Sequence, residues 1–308
     1  MTRTGPDLLA GGRYVTDGGM ETDFIFHHGV DLPEFAAFPL LDTEEGRRLL
    51  SAYYDGYRAV ASAAAAGLML ESPTWRANPD WGTRLGYDAA ALERVNRQAV
   101  TYLRDLAQVW AATVATIVVN GMIGPRGDGY RADERMSAQE AAEYHRPQIE
   151  ALAGADLVTA YTLTHAGEAI GIASAARDVG VPVAISFTVE TDGLLPDGSS
   201  LAHAIESVDE QCPPHHFLVN CAHPDHVARA LAGGNGAWLN RIAGVRVNAS
   251  ILSHAELDDA IELDDGDPAQ LARDTDRLRP LLPNLAIVGG CCGTDSRHVA
   301  AQWGVSVR

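Results

Sequence analysis

Short apolar runs alternate with longer stretches of mixed polarity along the whole chain. Most of the short runs are continuously apolar, which is typical of β-strands that are buried on both faces of a sheet. Their positions predict eight strands, at residues 14–19, 67–72, 115–120, 155–161, 181–188, 216–221, 242–248 and 285–290.

The longer stretches between these runs are predicted to be helices. Residues 43–65 begin at Thr43, which is suited to an N-cap, and carry two glutamates in the first turn. Residues 137–153 open with Ser137 and Glu140 at the spacing of a capping box. The remaining helices are predicted at 87–112, 166–179, 200–210, 225–232, 268–281 and 295–302.

Eight strands, each followed by a helix, favour a single-domain (β/α)8 TIM barrel over residues 1–308, with its core at about 12–303. A doubly wound open sheet is the alternative, but no Gly-x-Gly-x-x-Gly follows the first strand. In a TIM barrel the active site lies at the C-terminal ends of the strands. The segments that end the first, sixth and eighth predicted strands should therefore meet at one mouth.

The charge of the chain narrows the classes of partner. Its 308 residues include 23 Lys and Arg against 41 Asp and Glu, for a net charge of −18. Such a surface repels phosphate backbones and anionic lipid, so we expect neither nucleic-acid nor membrane partners. The sequence has no signal peptide and no apolar run long enough for a membrane span, which favours a cytoplasmic protein. The same composition is compatible with a homo-oligomer of this chain.

Three of the four cysteines follow predicted strands. Cys221 ends the sixth strand, and Cys291 and Cys292 follow the eighth between glycines. Adjacent cysteines can hardly form a disulfide with each other, but both can face one metal ion. Three thiolates would suit zinc with one position left open. The alternative is that Cys221 is simply a buried strand cysteine and that the adjacent pair is incidental. The fourth cysteine, Cys212, is predicted to be an ordinary loop cysteine.

Three anionic sulfurs would make zinc a weak Lewis acid, so hydrolysis fits this ligand set poorly. A better use of the open position is to hold a substrate thiol as a thiolate, the form that attacks an electrophilic carbon. Thiol alkylation is therefore the predicted chemistry.

Four motifs together carry a resemblance to a known family. They are DGGMET at 17–22, HRP at 145–147, VNC at 219–221 and GGCCGT at 289–294. In order and spacing, from about residue 12 to 300, the chain resembles the homocysteine S-methyltransferase family. The resemblance implies a (β/α)8 barrel with zinc held by Cys221, Cys291 and Cys292. It also implies that homocysteine sulfur takes the fourth position and attacks the methyl of a sulfonium, ammonium or folate donor.

The resemblance also implies substrate contacts, with two departures. The turn of Asp17, Gly18 and Gly19 would lie beside the amino-acid substrate. Glu21 stands where relatives often carry a small residue, and it would add charge at the mouth or be solvated. Relatives typically carry a glutamate for the substrate amino group at the end of the fourth strand, where this chain has Tyr161. A phenol cannot pair with an ammonium as a carboxylate does.

Two further features of the strand ends and loops are candidates for ligand contact. Asn248 ends the seventh predicted strand, where it can approach the open metal position or the substrate. Trp75, Trp81 and Tyr87 could form an apolar wall for a methylated cation, or could be surface packing.

These observations lead to a zinc-dependent S-methyltransferase as the first hypothesis. One barrel accounts for the 308 residues, which favours a small donor of the S-methylmethionine or S-adenosylmethionine type, with homocysteine converted to methionine. The second hypothesis is the same chemistry on another thiol or selenol, because of Tyr161. A third, of another class, is a non-catalytic barrel in which zinc is structural or absent.

Overall fold

A computed structural model of the chain describes residue 9 and residues 12–130, 135–258, 260 and 262–306. Eight parallel strands close into a barrel in the order in which they follow along the chain. The strands are β1 (Tyr14–Val15), β2 (Gly67–Glu71), β3 (Ile117–Ile123), β4 (Leu157–Leu163), β5 (Val183–Phe187), β6 (His216–Ala222), β7 (Ile242–Val247) and β8 (Ile287–Gly290). The predicted (β/α)8 barrel is confirmed.

The helices lie outside the barrel or in the loops at its mouth. They are α1 (Met20–Thr22), α2 (Glu44–Ala63), α3 (Pro79–Arg84), α4 (Ala89–Trp110), α5 (Ala138–Leu152), α6 (Ala166–Val179), α7 (Leu201–Gln211), α8 (Pro224–Leu231), α9 (His254–Asp258), α10 (Pro268–Asp276) and α11 (Ser296–Gln302). A π-helical turn covers Asp23–His27, and 3-10 turns cover Pro33–Phe35, Phe38–Asp42, Ala237–Arg241 and Arg279–Leu281. Among the described helices, none has the length and apolarity needed to cross a membrane.

The predicted helix caps are present. The hydroxyl of Thr43 accepts a hydrogen bond from the backbone N–H of Gly46 at the start of α2. Ser137 and Glu140 form the complete capping box of α5. The helix predicted at 268–281 is wrong in its second half, because α10 ends at Asp276 and a 3-10 turn follows. Pro280 lies in that turn and has no backbone N–H to continue a helix.

Two strands differ from prediction in ways that matter for the site. β1 keeps only two residues, although the N–H of Thr16 still donates to Val288 of β8 and the carbonyl of Asp17 still accepts from Gly290. β4 begins two residues later than predicted, because the N–H of Ala155 still closes the turn after α5 by donating to the carbonyl of Leu152. Tyr161 therefore lies inside β4 and not at its end.

The interior of the barrel is apolar at one level and polar at another. One buried cluster fills the space between strands and helices, and a smaller one lies within the barrel around Tyr14, Leu157 and Tyr161. Buried polar side chains also point from the strands: Glu71, Asn120, Thr159, Ser186, Asn220 and Arg246. Because buried polar groups need partners, this polar layer fixes the orientation of the groups at the mouth.

A partly buried ion pair ties α4 to the residue before β4. Asp156 accepts two hydrogen bonds from the guanidinium of Arg104, at 2.7 and 2.8 Å, and one from the N–H of Val119 at 2.9 Å. We expect Asp156→Ala to lower the free energy of unfolding by about 2–3 kcal/mol, since it leaves a cation and a buried N–H without their acceptor. Guanidinium chloride denaturation measures this loss.

The exposed Asp105 on the same helix provides the control for that substitution. Asp105→Ala should change stability by less than about 0.5 kcal/mol. A similarly small change for Asp156→Ala would mean that water replaces the lost carboxylate.

Candidate active site

Three cysteine sulfurs meet at the C-terminal mouth of the barrel. Cys221 lies near the end of β6, and Cys291 and Cys292 directly follow β8. The three Sγ atoms all lie within 4.8 Å of one another, and those of Cys221 and Cys292 are 3.6 Å apart. The structure therefore brings the three predicted metal ligands together, although Cys221 precedes Cys291 by 70 positions in the sequence.

The spacing of these sulfurs fits a tetrahedral thiolate site. With zinc–sulfur bonds of about 2.3 Å, two sulfurs of a tetrahedron lie about 3.8 Å apart. Cys291 accepts hydrogen bonds within the cluster, which lowers its pKa well below its usual value, whereas Cys221 acts as a donor to the other two cysteines, which raises its pKa well above it. Crowding thus lets one thiol ionise readily at the expense of the others, and a divalent cation would relieve the repulsion among three thiolates.

The backbone of Cys221 has a conformation that few non-glycine residues adopt. Its φ is +55°, and that of Thr162 on the neighbouring β4 is +61°. The side chain of Asn220 joins the two strands, since its Oδ1 accepts from the N–H of Thr162 at 2.9 Å and its Nδ2 donates to Thr162 Oγ1 at 2.8 Å. Left-handed backbone of this kind costs of order 1–3 kcal/mol and is concentrated at functional sites.

Glycines let the turn after β1 pack against the cysteine loop. A Cβ on Gly18 would lie 2.6 Å from the carbonyl oxygen of Thr294, and one on Gly19 would lie 2.6 Å from that of Cys291. No side chain fits at these separations. The turn of Asp17, Gly18 and Gly19 is therefore in direct contact with the loop that carries Cys291 and Cys292, as predicted for segments that meet at one barrel mouth.

A buried arginine on β7 holds this turn and the end of β8 together. Arg246 forms an ion pair with Asp17, donates to the carbonyl of Gly18 at 3.1 Å, and donates to that of Gly290 at 3.0 Å. Its Nη1 also lies 4.0 Å from a carboxylate oxygen of Glu71. Burial raises the pKa of Asp17 to about 7 against the attraction of Arg246. The carboxylate of Asp17 is thus engaged within the protein.

Tyr161 is also engaged within the protein. Its hydroxyl donates to Glu71 Oε1 at 2.9 Å, and the guanidinium carbon of Arg246 lies 4.8 Å from the centre of its ring. Tyr161 still lines the cavity described below. Glu168 does not replace the missing glutamate, because it accepts from the N–H of Arg126 and lies 2.8 Å from Nε2 of His145.

A second tyrosine covers the sulfurs. The hydroxyl of Tyr130, from the loop after β3, lies 3.2 Å from Sγ of Cys221 and 3.5 Å from Sγ of Cys292. Its ring stacks on His254 with centroids 4.1 Å apart. His254 in turn contacts the carbonyl of Cys221 at 2.7 Å and Glu190 at 2.7 Å. Burial raises the pKa of Tyr130 well above its usual value, so the phenol stays protonated beside the sulfurs.

The sulfurs face a cavity of about 400 Å³ that opens at the mouth. Its wall includes Asp17, Gly18, Gly19, Glu21, Tyr161 and the three cysteines. Five acidic residues line it against two arginines; they are Asp17, Glu21, Asp128, Glu262 and Asp264, with Arg76 and Arg246. Burial raises the pKa of Glu21 to about 7, and the thiol of Cys291 adds to the effect. Because acidic residues outnumber arginines in its wall, the cavity favours a ligand that carries positive charge.

Other predicted contacts are placed differently. Asn248 is 2% exposed and lies outside the residues that line the cavity, so its contact with a substrate stays a prediction. Of the three aromatic residues proposed for a wall, Trp75 alone is among the lining residues. Tyr87 instead donates to Asp42. The face of Trp81 is covered by the guanidinium of Arg76, 3.6 Å from the ring centre.

Four residues of the mouth were not predicted from the sequence: Glu71, Arg76, Tyr130 and Arg246. Glu71 and Arg246 lie near the C-terminal ends of predicted strands. A charged residue inside an otherwise apolar run is the signal that could have identified them. Arg76 and Tyr130 lie in loops, where no periodic pattern marks a residue that turns inward.

Comparison with known proteins identifies the family. The family described as homocysteine S-methyltransferase matches residues 14–302. The chain is 25% identical over 303 residues to the homocysteine S-methyltransferase of Escherichia coli (strain K12), covering 92% of each protein.

Solved structures of the homocysteine methyltransferase MmuM from Escherichia coli have the same fold. The oxidized form superposes with a TM-score of 0.77 at 22% identity, covering 98% of this chain and 99% of that one. The metallated form gives 0.73 at 23% identity, covering 97% and 99%. Because the family match spans nearly the whole described barrel, this chain belongs to the homocysteine S-methyltransferase family and is a methyltransferase.

Proposed function

We propose that this protein transfers a methyl group from a small methylsulfonium donor, of the S-methylmethionine or S-adenosylmethionine type, to the thiol of homocysteine. The product would be methionine, which places the reaction in methionine biosynthesis. The observation that carries the proposal is the convergence of Cys221, Cys291 and Cys292 on one side of an acidic cavity. The relative in Escherichia coli is named for the same acceptor.

We propose zinc as the metal held by the three cysteines. Bound there, it would keep an acceptor thiol deprotonated at neutral pH. The acceptor sulfur would attack the methyl carbon and form the new carbon–sulfur bond. The donor would leave as a neutral thioether with the electron pair of the broken bond, and the thiol proton would pass to solvent.

The residues around the sulfurs would bind and position the reactants. Carboxylates at the mouth favour a cationic donor, whose charge disappears as the methyl group leaves. The hydroxyl of Tyr130 lies against two of the sulfurs, so it must move before an acceptor sulfur can approach them. We also propose a cytoplasmic location, where reducing conditions would keep the cysteines as thiols.

A second candidate is the same chemistry on a different thiol or selenol. Tyr161 favours it, because its hydroxyl donates to Glu71 and offers no charge to a substrate ammonium group.

We expect protein purified under reducing conditions to contain about one zinc per chain and to form methionine from homocysteine with S-methylmethionine or S-adenosylmethionine. Metal analysis and mass spectrometry of the product test this. If only another thiol or selenol is methylated, the second candidate replaces the first. Protein that holds zinc but methylates no thiol with either donor would contradict the proposed function.

A further inference from the structure

Arg76, in the loop after β2, is a cation that the described part of the protein leaves without a partner. It lines the cavity, and its Nε and Nη1 are buried with no hydrogen-bond acceptor among the described residues. Its guanidinium carbon lies 3.6 Å from the ring centre of Trp81 and 4.7 Å from that of Trp75. Both are cation–π contacts, and an indole has no acceptor for the N–H groups of the guanidinium.

Such an arrangement is costly unless a ligand completes it. A buried charged donor without an acceptor destabilises the folded protein, and the pKa of Arg76 is lowered by its burial. The nearby acids are used elsewhere: Asp128 accepts from the N–H of Tyr130, and Glu34 accepts from Arg84. The free edge of a guanidinium matches a carboxylate, which can accept two parallel hydrogen bonds.

Glu21, in α1, is the matching anion on the same cavity. Among the described residues its carboxylate has no ion pair and no hydrogen bond from another side chain. Glu21, Arg76 and Cys291 all line this cavity, so one ligand bound there can contact all three. The other candidates for an ammonium group are engaged, since Asp17 pairs with Arg246 and Tyr161 is neutral.

We propose that Glu21 and Arg76 bind the two charges of an amino-acid acceptor, Glu21 its α-ammonium group and Arg76 its α-carboxylate, with its side-chain sulfur directed to the cysteines. This inference rests on the proposed function and names the residues that select its acceptor. It assigns to α1 and the loop after β2 the charge recognition that a carboxylate at position 161 would otherwise supply.

The test uses ligands that lack a reactive thiol, so that it does not depend on turnover. Binding of methionine, of 3-(methylthio)propylamine and of 4-(methylthio)butanoate is measured by titration calorimetry. The second ligand lacks the carboxylate and the third lacks the ammonium group. Wild-type protein should bind methionine about tenfold or more tightly than either, since hydrogen bonds to charged groups contribute at least that much.

The variants should show a crossed pattern. Arg76→Gln should weaken methionine and the butanoate about tenfold and leave the propylamine unchanged, whereas Glu21→Gln should weaken methionine and the propylamine and leave the butanoate unchanged. Arg84→Gln is the matched control, because Arg84 also stacks on Trp81 but pairs with Glu34 outside the cavity wall. It should leave all three affinities unchanged.

Thermal unfolding separates binding from a structural role. Because Arg76→Gln removes an unpaired buried charge, this variant should be at least as stable as the wild type. Equal weakening of all three ligands by Arg76→Gln, or methionine binding no more tightly than its truncated forms, would overturn the inference. A crossed pattern in a protein that methylates no thiol would uphold the binding site and contradict the proposed function alone.

Discussion

Cys291→Ser should abolish zinc binding and lower the rate of methyl transfer by at least about a hundredfold. Serine keeps the size of the side chain but replaces a thiolate by a hydroxyl that stays protonated, so a three-sulfur site becomes a two-sulfur site. Loss of an outer partner of a metal ligand already costs 10- to 100-fold in affinity or activity, and loss of the ligand itself should cost no less. Zinc per chain and the initial rate of product formation measure the two effects.

Cys212→Ser is the control for this substitution. Cys212 is 4% exposed at the C-terminal end of α7, away from the residues that line the cavity. The control should retain one zinc per chain and a rate near that of the wild type, with at most a small loss of stability. If Cys291→Ser kept both its zinc and its activity, the assignment of the three cysteines as metal ligands would be wrong. Loss of zinc with full activity would show that methyl transfer does not need the metal.

The cysteine cluster could be predicted because barrel topology converts sequence position into spatial position. Cys221 and the pair Cys291–Cys292 each stand at the end of an apolar strand, and the ends of parallel strands meet at one mouth. The capping box of α5 was predictable because its two partners are only three residues apart and the interaction is local.

The side-chain network beneath the mouth could not be predicted in the same way. Arg246 and Asp17 are paired across a separation of 229 residues, and neither position has a pattern that names the other. The partner of Tyr161 depends on where β4 begins, and the prediction was two residues out of place at that point. A shift of this size is enough to change a residue from the end of a strand to its interior, where its hydroxyl contacts Glu71.

The residues that reach the site from loops could not be predicted either. The sequence predicts that a long loop follows β2, but not that Arg76 turns back over two indoles to line the cavity. Tyr130 likewise reaches the sulfurs from the loop after β3. Such placements depend on packing between loops that are distant in sequence, for which a single chain offers no periodic signal.

Arg246→Met should be the most destabilising single change at the mouth, with an expected loss of about 3–5 kcal/mol in the free energy of unfolding. Methionine preserves most of the volume but leaves Asp17 and Glu71 as buried carboxylates without their shared cation. It also removes the donors to Gly18 and Gly290, whose carbonyls hold the turn after β1 against the cysteine loop. The variant should therefore bind zinc more weakly as well.

The pH dependence of that loss separates charge from packing. Burial already holds the pKa of Asp17 near 7, and removal of the guanidinium should raise it further. When a carboxyl group binds its proton more tightly in the folded protein than in the unfolded chain, the folded protein loses stability as the pH rises above the ordinary pKa of that group. Denaturant titrations should therefore show a larger deficit for Arg246→Met at pH 8 than at pH 5.

Arg241→Met tests whether any arginine beside β7 would behave alike. Arg241 pairs with Asp209 at the opposite end of the strand, and both side chains are about one third exposed or less, at 31% and 27%. Its replacement should cost about 1–2 kcal/mol, nearly independent of pH, and should leave zinc binding intact. A pH-independent deficit for Arg246→Met equal to that of Arg241→Met would contradict the charge argument. It would mean that Arg246 stabilises the barrel interior through the fit of its side chain and not through its charge.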